Sequence, residues 1–160
     1  MNVSINQAAV AESDLVATMV QELLGEIKEA TGEPYFNVDT SRLHTQAQAL
    51  LLSGSYVVFL ARNEAKLTPC GFIAMFEGYA LYTEGVFGVF PELYVRPSFR
   101  SEGIGAKLLQ HAVEYGLSQG WNRLEVTTPP VRVFSRTLEF YERYGFAISG
   151  GTKLNRVLHS

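Results

Sequence analysis

Cysteine is nearly missing from this chain. Cys70 stands alone among 160 residues, so no intramolecular disulfide can form, and it reads as a small buried apolar side chain rather than a nucleophile. Histidine is scarce too: His44, His111 and His159 are the whole complement. They lie too far apart to predict a metal site, and no cysteine cluster joins them. No basic segment followed by an apolar run opens the sequence, which speaks against a signal peptide. No apolar run approaches the roughly 20 residues of a membrane span. A cytoplasmic protein without membrane association is expected. Positive charge is in deficit, with a formal net charge of −3. That disfavours broad electrostatic attraction to nucleic acid, and basic residues interleaved with aromatics are absent as well.

What is present suits one compact domain over residues 1–160. A chain of this length buries roughly two thirds of the surface it exposes when unfolded, so it needs no disulfide or structural metal. The apolar fraction is 47% and the charged fraction 18%, as in ordinary globular proteins.

Hydrophobic spacing sets out the elements. Val3 to Ala9 reads as a short strand. Ser13 or Asp14 can cap a helix on which Leu15, Met19, Leu23 and Ile27 recur at helical spacing, ended by Gly32 and Pro34. A second helix starts near Asp39 or Thr40 and ends at Gly54. Tyr56–Leu60, Cys70–Tyr79 and Val86–Val95 are β-rich, and a polar turn containing Pro69 separates the first two; their close spacing predicts an antiparallel meander. Ile104, Leu108, Leu109, Ala112, Val113 and Leu117 line a helix closed by Gly120. Leu124–Thr128 follows as a strand, so strand, helix and strand have the spacing of a parallel crossover. After Pro129-Pro130 a last helix is expected from Val133 to Tyr144, stopped by Gly145. Phe146–Ser149 and Leu154–Leu158 can close the chain as a hairpin. The sum is an α+β fold: a mixed, mostly antiparallel central sheet with helices on both faces.

One loop carries chemistry. Arg100-Ser101-Glu102-Gly103-Ile104-Gly105-Ala106 joins a strand to a helix. Gly103 and Gly105 let the backbone approach a ligand without Cβ obstruction. The first turn of the helix offers unpaired N–H groups and the positive end of its dipole, which suits a diphosphate. Arg100 can add a charge-assisted contact. The alternatives are glycines that only ease packing, a P-loop, or a dinucleotide fingerprint. A P-loop needs Gly-Lys followed by Ser or Thr, and a dinucleotide fingerprint needs a third glycine; neither is here.

The run Glu92-Leu93-Tyr94-Val95-Arg96-Pro97-Ser98-Phe99-Arg100-Ser101-Glu102-Gly103-Ile104-Gly105-Ala106-Lys107-Leu108-Leu109 resembles the signature of the GNAT superfamily of N-acetyltransferases. Downstream, Phe140-Tyr141-Glu142-Arg143-Tyr144-Gly145-Phe146 is similar to that family's C-terminal helix ending in Phe-Tyr-Glu-x-x-Gly-Phe. The two stand in the family's order and separation, and the first ~90 residues match in layout.

The resemblance implies acetyl-CoA as the acetyl donor, no metal, and direct attack by an amine in a ternary complex. It implies that the strand bearing Leu93, Tyr94 and Val95 lies against the pantetheine arm. The Leu93 N–H would face the thioester carbonyl and Val95 would hold a pantetheine amide. The main chain of Ser101, Glu102, Gly103, Ile104, Gly105 and Ala106 would bind the pyrophosphate, flanked by Arg100. Tyr141 matches a tyrosine that protonates the departing thiolate. Glu92 matches a position where relatives carry an acidic base or amine anchor; Glu77, Glu84 and Glu125 are weaker candidates. Many relatives have Asn seven residues before the tyrosine, where this chain has Phe134.

The acceptor implied is a small-molecule or peptide amine. Its pocket is expected between the first two helices, the loop after Tyr79 and the strand near Glu92, with aromatics from Glu33-Pro34-Tyr35-Phe36 and Tyr79-Ala80-Leu81-Tyr82. Glu33, Asp39, Glu77 and Glu84 can supply negative charge for a cationic substrate. Homodimers are frequent in the family, which makes dimerisation an expectation. A competing function is a non-catalytic acetyl-CoA sensor or interaction module of the same fold.

Overall fold

A computed structural model describes residues 1–32, 38–129 and 134–158. Pro34, Tyr35, Phe36, Pro130, Val133 and His159, and with them Glu33, lie outside the described residues. The chain divides into two compact units, Met1–Thr127 and Thr128–Ser160.

The first unit is built on a five-stranded sheet in the order β1-β2-β3-β4-β5. The strands are β1 (Val3–Gln7), β2 (Val57–Asn63), β3 (Pro69–Ala80), β4 (Gly85–Val95) and β5 (Leu124–Glu125). The first four pair antiparallel as a meander, and β5 pairs parallel to β4. Its helices are α1 (Ser13–Thr31), α2 (Thr40–Ser53) and α3 (Ile104–Ser118). The crossover read from the sequence is therefore β4-α3-β5.

Side-chain alternation gives the sheet two buried faces. Val58, Leu60, Phe72, Ala74 and Tyr94 form one core with Val16, Met19 and Val20 of α1. On the opposite face Phe59 meets His111 and Tyr115 of α3 edge-on, at ring separations of 5.9 and 5.7 Å. Fully burying a side chain such as Met19, Leu60 or Ile73 contributes about 1.5–3 kcal/mol each. Cys70 is fully buried as well.

Element ends depart from the sequence reading for local reasons. A 3-10 turn, Val10–Glu12, precedes α1, and the Glu12 carboxylate accepts from the Ala9 N–H at 3.0 Å. Neither Ser13 nor Asp14 caps the helix: Ser13 is buried, and Asp14 reaches His44 of α2 at 2.9 Å. Asp39 does cap α2, accepting from the Arg42 N–H at 3.0 Å. Pro69 belongs to β3, as its first residue, where the missing N–H is tolerated.

β5 stops after two residues because its pairing stops. It meets only Gly88 and Val89 of β4, and the next residues of β4 leave the regular ladder. Ala74 lies opposite Glu92, but Phe76 lies opposite Val89, so Phe90 and Pro91 face the single residue Met75. This is a β-bulge, and Pro91, which has no N–H to donate, occupies it at little cost.

Trp121 fixes the return of the chain after α3. A Cβ on Gly88 would fall 2.2 Å from the indole Cε3, and one on Gly116 would fall 2.9 Å from it. The two glycines thus make the slot that holds the ring. Asn122 N–H donates to Val86 at 3.2 Å and Gly88 N–H to Arg123 at 3.0 Å, which sets β5 alongside β4.

In the second unit α4 (Ser135–Arg143) starts with Phe134 at its N-cap, and no side chain caps it. The expected closing hairpin is not formed: no described residue after β5 lies in a strand. Ile148, Leu154, Val157 and Leu158 are largely exposed, and two strands alone bury too little to hold together in water.

Gly88→Ala should destabilise the protein by about 1–3 kcal/mol, the usual cost of overpacking a filled core. Urea unfolding followed by far-UV circular dichroism measures it, and an unchanged midpoint would refute the slot.

Candidate active site

The bulge at Phe90-Pro91 resets β4, and Leu93, Tyr94 and Val95 lie just beyond it. Arg96 N–H donates to Cys70 at 2.8 Å, across the register that sets Val95 opposite Gly71. In an antiparallel ladder the main-chain groups alternate sides. Arg96 and Tyr94 therefore face β3, while the N–H and C=O groups of Leu93 and Val95 face away from it. Among the described residues no strand pairs with Leu93 or Val95 on that outer side, because β5 has ended. This leaves an open edge in mid-sheet.

The chain then turns through Pro97–Phe99, a 3-10 segment, into the glycine loop. Ser101 has φ +67° and Gly103 has φ +75°. Gly103 is the N-cap of α3, and no side chain caps that helix. The first bond of the helix is Lys107 N–H to Gly103 at 3.1 Å. No described partner takes the N–H groups of Ile104, Gly105 and Ala106, so they carry the dipole's positive end. A Cβ at Gly103 would meet nothing within 4 Å, so the approach to this turn is open. Ser101 and Glu102 are exposed, while Ile104 is buried and anchors the helix start.

Arg100 turns toward α1 in this structure. Its Nε donates to the Val95 carbonyl at 2.8 Å and its Nη2 to Glu26 at 2.8 Å, with the guanidinium 5.8 Å from the Tyr94 ring centre. One helical turn earlier, Glu22 receives Arg96 through two parallel bonds of 3.0 and 2.9 Å and the Tyr94 hydroxyl at 3.3 Å. Two glutamates four apart on α1 thus hold two arginines that bracket the 3-10 turn. Sequence reasoning named neither glutamate; the matching four-residue spacings were the available signal.

Glu92 points from β4 toward the α1 side of the sheet, the face of its partner Ala74. Its oxygens receive the Tyr56 hydroxyl at 3.2 and 3.4 Å. The Tyr56 ring stacks on Phe76, with centres 6.3 Å apart and an 8° interplanar angle. Burial raises the Glu92 carboxyl to about 7, against the opposing effect of the Tyr56 hydrogen bond. The Tyr56 phenol is raised as well, first by burial and then by the Glu92 charge. Sequence reasoning did not find Tyr56, because 36 residues separate it from Glu92 and only strand register joins them. Glu77 and Glu84 are exposed, and Glu125 pairs with Arg123 at 3.2 Å.

Tyr141 sits in the second unit on α4 and is 6% exposed. Phe140 and Phe146 surround it at ring separations of 5.3 and 5.6 Å. Burial raises its phenol, so it stays protonated at neutral pH. Tyr144 packs on Phe140 at 5.1 Å.

Among the described residues no group of metal-ligating side chains gathers, and no helix is long and apolar enough to cross a membrane.

An open strand edge leading into an uncapped, glycine-started helix is the kind of site that grips an extended ligand ending in a diphosphate. The family model of the acetyltransferase (GNAT) domain matches residues 54–148, and this chain belongs to that family. An uncharacterised N-acetyltransferase of Archaeoglobus fulgidus is 44% identical over 41 residues; that match covers 26% of this chain and 28% of the relative. A predicted acetyltransferase of Clostridium acetobutylicum, solved with acetyl-CoA, superposes with a TM-score of 0.77 at 18% identity, over 96% of each chain. Ribosomal-protein-alanine N-acetyltransferase from Brucella melitensis biovar Abortus gives a TM-score of 0.73 at 18% identity, over 98% of this chain and 99% of its own.

The raised Glu92 carboxyl has a consequence for stability. The folded state keeps this proton up to about pH 7, whereas the unfolded chain releases it near pH 4.3. The native state thus binds more protons in that window, and stability falls as pH rises through it. Glu92→Gln should flatten this part of the profile, as read by urea unfolding at pH 4.5, 6 and 8. An identical slope in the variant would contradict the assignment.

Proposed function

We propose that this protein moves the acetyl group of acetyl-CoA to an amine by direct attack in a ternary complex. The observation that carries the reading is the pairing of the outward main-chain groups of Leu93 and the Val95 N–H, on the open edge of β4, with the uncapped first turn of α3 that follows in the chain. Those groups match the amides and diphosphate of the coenzyme in kind and in order.

The strand Leu93-Tyr94-Val95 takes the pantetheine arm along its outer edge. The Leu93 N–H stabilises the oxyanion that forms as the amine attacks. The amides from Ser101 to Ala106 hold the pyrophosphate. Arg100 joins them by exchanging Glu26 and the Val95 carbonyl for a phosphate oxygen, which also frees that carbonyl. Acetyl-CoA supplies the activated thioester.

Glu92 accepts the proton that the attacking amine must lose. A carboxyl titrating near 7 is well matched to that task at neutral pH. As the carbon–nitrogen bond forms and the carbon–sulfur bond breaks, the thiolate takes the proton of the Tyr141 hydroxyl. The Tyr141 phenol is protonated at neutral pH and so carries a proton to give. The acceptor belongs to the class of small-molecule or peptide amines, and the cytoplasm is the compartment that fits.

Gly103→Val should weaken acetyl-CoA binding at least tenfold in calorimetric titration while the circular dichroism spectrum stays unchanged. Unaltered affinity would remove the loop from the site. Glu92→Gln and Tyr141→Phe should each lower kcat by about 10²-fold or more, the scale of general acid–base catalysis, with the KM for acetyl-CoA nearly preserved. Release of free CoA thiol across an amine panel supplies the assay. A normal kcat in either variant removes that residue from its role.

A further inference from the structure

A cavity of about 520 Å³ lies in the first unit where β2 begins, below the C-terminal ends of α2 and α3; Tyr56, Glu77, Tyr79, Tyr115 and Trp121 are among the residues that line it. Its volume falls in the range of small-molecule sites. One carboxylate is set in its aromatic wall. The Trp121 indole N–H donates to one oxygen of Glu77 at 2.8 Å, and the Tyr79 hydroxyl donates to the other at 3.1 Å. Tyr115 braces the indole edge-on at 5.4 Å.

Every ion pair among the described residues that involves a glutamate uses an arginine: Glu12 with Arg62, Glu22 with Arg96, Glu26 with Arg100 and Glu125 with Arg123. Glu77 is in none of them. Its two partners are neutral donors that fix the carboxylate without cancelling its charge. A carboxylate has about four acceptor positions, so the remaining ones are open to a cation that donates hydrogen bonds. Aromatic walls favour such a cation and accept an apolar body behind it.

The site is distinct from Glu92. Side chains alternate along β3, so Glu77 projects toward α3 and Trp121, whereas Glu92 shares the α1-side face of Ala74. Tyr56 lines this cavity while its hydroxyl contacts Glu92.

We propose that this cavity binds a primary organic ammonium ion, with the ammonium on Glu77 and an apolar body against Tyr115, Trp121 and Tyr79. This binding is independent of whether the chain transfers acetyl groups.

Trp121 is the single tryptophan, so its fluorescence reports on this cavity alone. The test titrates 2-phenylethylammonium at pH 7 into the full chain, with 2-phenylethanol as the uncharged isostere. The expected result is a saturable change for the cation at an affinity at least tenfold above that of the alcohol. Glu77→Gln should lose at least tenfold of that affinity, and Glu92→Gln should keep it. No saturable response, or equal affinity for cation and alcohol in the unmodified protein, overturns the proposal without any variant. Loss of binding in Glu92→Gln with retention in Glu77→Gln overturns it too, by assigning the cation to the other face. Failure here leaves the acetyl-CoA titration untouched, so the two readings stand or fall separately.

Discussion

The site depends on β4 having a full hydrogen-bonding partner on one side and only a partial one on the other. β3 satisfies the strand along its length, while β5 meets it at Gly88 and Val89 alone. Unpaired main-chain groups inside a fold are costly unless a ligand or solvent serves them. The bulge at Phe90-Pro91 both ends the pairing with β5 and re-aims the residues that follow, which is a common use of bulges beside active sites. The open edge, the outward Leu93 and Val95 groups and the direction of Glu92 all follow from that one break in register.

The arginine–glutamate pairs hold the other half of the site. The segment 96–100 leaves the sheet and must enter α3 at a defined angle, or its free amides would not converge. Glu22 and Glu26 hold Arg96 and Arg100 against α1. The Arg96 pair has forked geometry and a third bond to the Pro69 carbonyl at 3.2 Å, so it acts as a fixed brace. The Arg100 pair is a single contact between more exposed groups, where solvent screening weakens an ion pair. One arginine thus serves as a fixture, while the other is held by a weaker, more exposed contact.

Much of the architecture is legible in the sequence. The helices over 13–31, 40–53 and 104–118 follow from apolar spacing closed by glycine, and the meander follows from three β-rich runs with short turns. The uncapped glycine start of α3 was readable because its features lie in the main chain, and glycine and helix start mark them locally. Phe146–Ser149 and Leu154–Leu158 have strand-like composition, yet none of these residues lies in a strand. Leu124–Thr128 has strand composition over five residues, yet pairing stops at two because its partner bulges.

Local pattern determined the elements, their order and the glycine loop that opens α3, since helical and strand periodicity and an uncapped helix start are properties of neighbouring residues. Tertiary structure alone decided which side chains share an environment. Tyr56 meets Glu92 through the register of three strands, Glu77 meets Trp121 through the return of the chain after α3, and Arg96 and Arg100 meet α1 across more than seventy residues. A carboxyl's proton affinity is set by burial and neighbours brought from afar, so the chemistry of Glu92 could not be read from the residues beside it.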